Sequence, residues 1–366
     1  MMKSHKIILV FLSALILLNC SSLVLPEESP SFTRKTKNII LFIGDGMGVA
    51  HITAGMTAGG VTLNLQKFPY SGLSITQSAD NYITDSAAGG TAIACGIKTN
   101  NGMIGVAPDN TVVASITEIL HNTGYATGVV STSAITHATP ASFVAHNSSR
   151  GNYEDIALHF LNGSVDLFMG GGEDHFRKRS DGRDLAAELE ALGYDLVYTM
   201  DELKATKSDK IAGLFAKLHM PPVNEGRTGY LEEMTRKAIE ILNRDKDGFF
   251  LVIEGSMIDW GAHENNIDYV TSETIDMDKA IGIAVDFASK SRETLIVVTA
   301  DHETGGLALI DGNTAERKVT ANFGTTDHSG TMVPVFSYGP GAQLFSGIHD
   351  NTFFLNTFLN LLRIRK

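Results

Sequence analysis

Three apolar runs in this chain each end on a carboxylate: KNIILFIG before Asp45, GFFLVI before Glu254 and TLIVVTA before Asp301. Each run reads as a buried strand. In a parallel sheet covered by helices, strand C-termini converge on one edge, and that edge is where such folds bind ligands. Carboxylates gathered there repel one another strongly unless positive charge sits between them. His302 follows Asp301 directly, and Asp259 and His263 lie just beyond Glu254. A bound metal cluster accounts for this pattern, and the mixture of imidazole nitrogen and carboxylate oxygen suits zinc.

Two further segments offer a nucleophile and an anion clamp. In TDSAAGGTA, residues 84–92, the small residues let the backbone approach a ligand closely, and Asp85 or Ser86 is placed to cap a helix running to Cys95. A serine at a helix N-terminus sets its hydroxyl among unpaired N–H groups, which favours an anion. Taken alone, the segment is simply a helix cap. Beside a metal cluster it becomes a candidate nucleophile, because a metal bound to the Ser86 oxygen lowers its pKa. The stretch SAITHATPASF, residues 133–143, follows the ATGVVS run and so also falls at a strand end. There His137 and Thr139 offer nitrogen and oxygen ligands. Arg150 has the planar fork that grips phosphate at two points, although an isolated arginine reads equally as a surface ion pair. His146, in FVAHN, reads as a packed histidine and not a ligand.

The elements that must position these groups alternate between helix-like and strand-like. Helical spacing marks residues 111–122, 184–192, 231–242, 276–289 and 352–364; short strands are expected at 126–131 and 333–338. This alternation argues for an α/β fold with helices on both faces of one sheet. Residues 163–229 are the least regular and are expected to cap or border the site; residues 311–327 look like an inserted hairpin or loop. His121, His159, His175, His219 and His349 lack a matching partner and read as structural or solvated. Glu303 and Asp327 flank expected ligands and either orient imidazoles or merely occupy loops. Cys95 reads as a small core residue.

The segments IGDGMG, TDSAAGGTA, THATPASFVAHNSSR, EGSMIDWGAH, TADHETGG and DHSG, in that order over residues 38–340, together resemble the alkaline phosphatase family. Any one motif is weak, but the ordered set is specific. The resemblance implies an alkaline phosphatase-like three-layer αβα sandwich with a central, mostly parallel sheet, in one catalytic domain over residues 37–366 with insertions near 163–229 and 311–327. It implies a homodimeric phosphomonoesterase that releases inorganic phosphate through a phosphoserine on Ser86, with Arg150 clamping the phosphoryl group. Two zinc ions per chain are implied, one on Asp259, His263 and His328, the other on Asp45, Asp301 and His302. Asp45 would also reach a third site, usually magnesium, with His137, Thr139 and Glu254. Two positions depart from the common bacterial pattern, which has Asp at the place of His137 and Lys at the place of Trp260. The first change makes a magnesium-only third site doubtful. The second removes a cation beside the phosphate and leaves Trp260 as a substrate-binding candidate or as plain packing. A phosphodiesterase or phosphonate hydrolase of the same superfamily is the alternative. A sulfatase fits less well, since Ser86 is followed by Ala-Ala-Gly-Gly, and a non-catalytic metal- or phosphate-binding lipoprotein fits poorly with Ser86 and Arg150 both in place.

The 366 residues, 43% of them hydrophobic, suffice for a full core, and the formal charge is −12. No basic cluster is present, so nucleic acid is not an expected partner. An acidic protein acting on an anionic substrate must concentrate positive charge locally, which metals would do. Residues 1–19 read as an export signal, with Lys3, His5 and Lys6 ahead of an apolar run at 7–18 too short to span a bilayer comfortably. Cys20 after that run resembles the lipidated residue of a bacterial lipoprotein, although Asn19 departs from the usual small residue. Simple cleavage and an uncleaved anchor are the alternatives. Residues 20–36 read as a tether. The expected location is the periplasm, or a membrane surface through a lipid anchor. With only Cys95 left after Cys20, no structural disulfide is expected.

Overall fold

Alternation along the strands decides the architecture. In the computed structural model, which describes residues 35–60 and 62–364, the first eight strands are Asn38–Gly44 (β1), Tyr70–Ile75 (β2), Ala126–Ala134 (β3), Leu167–Gly171 (β4), Asp195–Val197 (β5), Ile211–Leu214 (β6), Phe249–Gly255 (β7) and Thr294–Thr299 (β8). Two short strands, Glu303–Thr304 (β9) and His328–Ser329 (β12), pair with each other, and Leu307–Asn313 (β10) pairs with Lys318–Phe323 (β11) as an antiparallel hairpin. Val333–Tyr338 (β13) and Gly347–Asp350 (β14) complete a ten-stranded sheet in the order β14-β2-β13-β8-β1-β7-β3-β4-β6-β5. From β8 to β5 every pairing is parallel, and β13 alone runs against its neighbours β8 and β2.

Central strands are buried on both faces, so their side chains divide by parity. Ile39, Leu41, Ile43, Phe250, Val252, Leu295 and Val297 enter one core; Ile40, Phe42, Leu251, Ile253, Ile296 and Val298 enter the other. The first core is covered by helices Ser86–Cys95, Ile116–His121, Leu185–Ala191 and Phe353–Leu362, the second by Val49–Gly59, Tyr230–Leu242 and Ile267–Ser291. This is the three-layer αβα arrangement. The described residues fall within one unit, Phe32–Lys366. No helix among them is long and apolar enough to cross a membrane. The export signal, Cys20 and nearly all of the tether lie outside the described residues.

Some local expectations change. The helix expected at 111–122 begins only at Ile116, because Ser115 and Glu118 form a reciprocal capping box, and Val112 instead bridges to Val106 as extended chain. The irregular stretch 163–229 supplies β4, β5 and β6 of the main sheet. Strands of three to five residues are too short to show a period against their surroundings. The expected 276–289 helix runs Ile267–Ser291.

The long helix is tied to the preceding segment by a buried ion network. Arg227, fully buried, donates to Asp276 at 2.8 Å and to Glu273, and its Nε donates to the Pro221 carbonyl at 2.9 Å. Burial pushes both carboxyls up in pKa while the guanidinium pulls them down. Arg227→Met leaves two buried carboxylates without a counter-charge and is expected to cost about 3–5 kcal/mol in urea unfolding followed by circular dichroism. A loss below about 1 kcal/mol would show that the network relaxes without it.

Candidate active site

Four adjacent strands, β8, β1, β7 and β3, deliver Asp301, Asp45, Glu254 and His137 at or just beyond their C-terminal ends. Parallel register sets Glu254 between Ile43 and Ser131 on the neighbouring strands. Asp259 and His263 lie four apart on helix Met257–His263 and so share a face. His328 arrives on β12, pinned against β9. Close approach at this edge depends on glycine. A Cβ on Gly46, at φ +70°, would lie 2.8 Å from the Asp259 backbone, and one on Gly89 would lie 3.0 Å from the Asp301 carbonyl.

Three groups of ligand atoms result, each within 4.8 Å of one another: Asp259, His302 and His328; Asp45, Asp301 and His302; and Asp45, His137 and Glu254. His263, expected in the first group, lies 3.3 Å from Asp259 through Nε2 but outside that group, whose second imidazole is His302. Thr139 is buried and approaches Glu254, but its hydroxyl makes no well-formed hydrogen bond. The histidines are oriented from behind. His263 Nδ1 donates to the Thr326 carbonyl at 2.5 Å and His328 Nδ1 to the Thr84 carbonyl at 2.8 Å. The Thr304 hydroxyl donates to Asp259 and accepts from His302 Nδ1 at 3.2 Å. His302 therefore presents its Nε2 lone pair 3.3 Å from Asp45 and 3.3 Å from Asp301.

A lone pair facing two carboxylates is repulsive unless a cation lies between them. Both Asp45 oxygens, Asp301 Oδ2 and Glu254 Oε1 are buried without a hydrogen-bond partner. Burial, then the charges of Asp301, Asp259 and Glu254, pushes Asp45 well up in pKa; burial, then Asp259 and Glu254, pushes Asp301 up to about 7. Asp259 is lowered: burial opposes its charge, but the hydrogen bond from His263 and the nearby imidazoles outweigh it. The same hydrogen bond raises His263 to about 9, whereas burial holds His302 well below its ordinary value. Unpartnered acceptors and imidazoles gathered in one buried volume fit divalent cations bound by nitrogen and oxygen.

Ser86 is the first residue of helix Ser86–Cys95, and its Oγ sits 3.2 Å from His302 Nε2. Asp85 is the helix cap, accepting from Ala88 N at 3.0 Å. Its other oxygen accepts from Gly102 N at 3.0 Å and from Arg150 Nη1 at 2.9 Å. Arg150 thus has one arm anchored, and its second arm lies 3.3 Å from His137 Nε2. Serine, arginine and carboxylates from distant stretches meet at one point.

The sequence profile of the family described as "Alkaline phosphatase" matches residues 36–318. The chain belongs to the alkaline phosphatase family. It is 34% identical to alkaline phosphatase 4 of Bacillus subtilis over 90% of this chain and 89% of that protein. The alkaline phosphatase of the Antarctic bacterium TAB5 superposes with a TM-score of 0.87 at 41% identity, covering 91% of this chain and 100% of that one. A mutant of that enzyme, solved with magnesium in its M3 site, superposes at 0.86 with 40% identity over 91% and 99% of the two chains. Fold, family and site make this chain a metal-binding phosphomonoesterase.

Several residues of this phosphatase escaped the sequence reading. Two hydroxyls clamp one oxygen of Glu254, Ser131 at 2.5 Å and Ser256 at 2.6 Å, which leaves the other oxygen for the cation subsite. Glu303 does not orient an imidazole. It accepts from Leu307 N and from the Ser329 hydroxyl, and so shapes the loop between β9 and β12. His175 and His219, which read as structural or solvated in the sequence, lie close to the site: His219 packs 5.5 Å from His137, and His175 bonds Thr136 at 2.6 Å. Each follows the end of a parallel strand, β4 or β6. That signal was available, but those strands were too short to read. His146 bonds the Gly105 carbonyl at 2.7 Å and Glu118 at 2.9 Å and is no part of the cluster.

Removing divalent metal should destabilise the fold measurably. One ion held at 1,000 times its dissociation constant contributes about 4 kcal/mol. Chelation is therefore expected to lower the melting temperature by several degrees, with zinc restoring it. An unchanged melting curve would sink the metal assignment.

Proposed function

We propose that this phosphatase hydrolyses phosphate monoesters in two successive displacements on Ser86. In the first, Ser86 Oγ bonds to phosphorus as the ester P–O bond breaks, and the serine proton is delivered to the leaving alkoxide to complete the alcohol. In the second, water attacks the phosphoserine, the P–O bond to Ser86 breaks, inorganic phosphate leaves and Ser86 regains a proton. Two inversions retain configuration at phosphorus.

The observation that carries this reading is the Ser86 hydroxyl 3.2 Å from His302 Nε2, at the head of a helix and inside the carboxylate cluster. The helix N-terminus directs positive potential at the incoming phosphoryl group. Arg150, with one arm held by Asp85, presents the other to the equatorial oxygens, so its orientation is set before the substrate arrives. Asp259, His263 and His328 would hold one zinc ion, and Asp45, Asp301 and His302 the other. Asp45, His137, Thr139 and Glu254 would hold a third divalent cation. Such ions, when bound, supply Lewis-acid stabilisation of the attacking and leaving oxygens. The proposed roles all fall on the phosphoryl group and the oxygens bonded to it, so broad monoester use is expected.

Export, a lipid anchor on Cys20 and a homodimer complete the proposal. The support for export is the basic and apolar pattern of residues 1–19. Intact-mass measurement of the membrane-associated protein, looking for a diacylated Cys20, tests the anchor. Sedimentation tests the dimer.

Ser86→Ala is expected to reduce turnover of p-nitrophenyl phosphate on the order of 10³-fold or more with metal content unchanged. Acid quenching of the wild type with labelled substrate should trap phosphate on Ser86. Arg150→Ala should lower kcat/KM roughly 10²-fold. Faster turnover of the bis-ester than of the monoester would favour a phosphodiesterase instead. Trp260→Lys adds a cation beside the site and should tighten inhibition by inorganic phosphate, and an unchanged inhibition constant would remove Trp260 from substrate binding.

A further inference from the structure

A histidine that binds a metal almost always gives its second ring nitrogen to a carboxylate, carbonyl or hydroxyl, which fixes the plane of the ring. His263, His302 and His328 each do so, through the Thr326 carbonyl, the Thr304 hydroxyl and the Thr84 carbonyl. His137 does not. Its Nδ1 is buried without a partner and its Nε2 lies 3.3 Å from the Arg150 guanidinium, so neither nitrogen is held by a carboxylate, carbonyl or hydroxyl. Nor does the backbone restrain the side chain, since His137 is the N-cap of a four-residue helix without a side-chain cap bond.

Three rings pack together here instead. His137 meets His219 with centroids 5.5 Å apart at 86°, and Trp260 with centroids 6.1 Å apart at 85°. His219 meets Trp260 at 4.8 Å and 87°. Each pair is edge-to-face, the arrangement that ring quadrupoles prefer. His219 is itself firmly held. Its Nδ1 accepts from Ala134 N at 3.1 Å, which places the proton of the neutral ring on Nε2. Its segment is stitched down by Gly172 N and Glu173 N on the Ala216 carbonyl and by Asp174 N on the Lys217 carbonyl, at 2.9, 3.0 and 2.9 Å. A Cβ on Gly171 would lie 2.0 Å from the Leu218 carbonyl, so that residue must be glycine for the segment to sit where it does.

We propose that His219 is a positioning residue of the third cation subsite, where it holds the His137 imidazole and the Trp260 indole by ring packing in place of the missing hydrogen bond. The role rests on Asp45, His137 and Glu254 forming that subsite. Asp45 and Glu254 are anchored on strand ends, so among these three residues the orientation of His137 is the adjustable element. Loosening it weakens the third ion selectively and leaves the ions held by Asp259 and Asp301 in place.

The chain contains a single tryptophan, Trp260, and it lies within this ring cluster. Its emission therefore reports directly on the subsite. The test strips the purified full chain of metal, restores the two-zinc form, and titrates Mg2+ or Zn2+ alone, following Trp260 emission and metal content by elemental analysis. His219→Asn keeps an acceptor for the Ala134 N–H but removes the ring; His219→Phe keeps a ring edge but removes the acceptor. His219→Asn is expected to weaken the third ion by about 10- to 100-fold with two zinc ions retained, and His219→Phe to stay near wild type. The reverse order would show that His219 serves only the Ala134 N–H and would overturn the proposal, as would wild-type affinity in both variants. A wild type that takes up no third ion would remove the subsite itself, and the role of His219 with it.

Discussion

Asp45, Glu254, Asp259 and Asp301 cannot all carry charge in one buried volume unless positive charge enters with them. Two like charges 4.8 Å apart repel by about 3.5 kcal/mol even at an effective dielectric constant of 20. Without metal the protein answers with protons: Asp301 rises to about 7 through burial and its neighbours, and burial pushes Asp45 well above its ordinary value. With divalent cations the same carboxylates become ligands, and the repulsion turns into the force that retains the ions. In the proposed reaction the same arrangement would serve phosphoryl transfer, since a substrate carrying negative charge would be drawn to the point where cations, Arg150 and a helix N-terminus converge.

The fold makes this concentration of charge tolerable by separating it from what stabilises the chain. Both cores lie along the strand interiors, where alternate residues of β1, β7 and β8 fill one layer or the other. The ionisable groups begin where those strands end. The positioning work falls to neutral donors and acceptors: Thr304 links Asp259 to His302, and Ser131 and Ser256 hold one oxygen of Glu254. Neutral partners fix direction without adding charge that would compete with a cation.

The subsites are not built alike. Three imidazoles are fixed by hydrogen bonds to oxygen, a stiff and directional constraint. His137 is fixed by the edges of two other rings, a softer one. A ligand held softly accepts a wider range of ion radii and coordination geometries, and imidazole in place of carboxylate shifts preference away from magnesium. The same ring cluster touches Trp260 and, through His137, the free arm of Arg150. Under the proposed roles of His137 and Arg150, metal choice and phosphate handling would be joined on one side of the site.

Much of this was legible in the residues alone. Asp45, Glu254 and Asp301 announce themselves because long buried strands have a distinctive composition and end abruptly on charge. Asp259 and His263 share a face by helical spacing, and TDSAAGGTA carries small residues where a backbone must come close. His219 was not legible, because β6 is four residues long and its imidazole reaches the site only across the sheet edge. The helix cap was left open between Asp85 and Ser86, and only the fold assigns it to Asp85, which also anchors Arg150. The sequence by itself determined which residues are able to do the chemistry, since residue type and local period are properties of short stretches. Which of them meet, and what turns each ring toward its neighbours, was decided only by tertiary structure, because those contacts join distant stretches of chain, as between Ser86 and His302 or between His137 and His219.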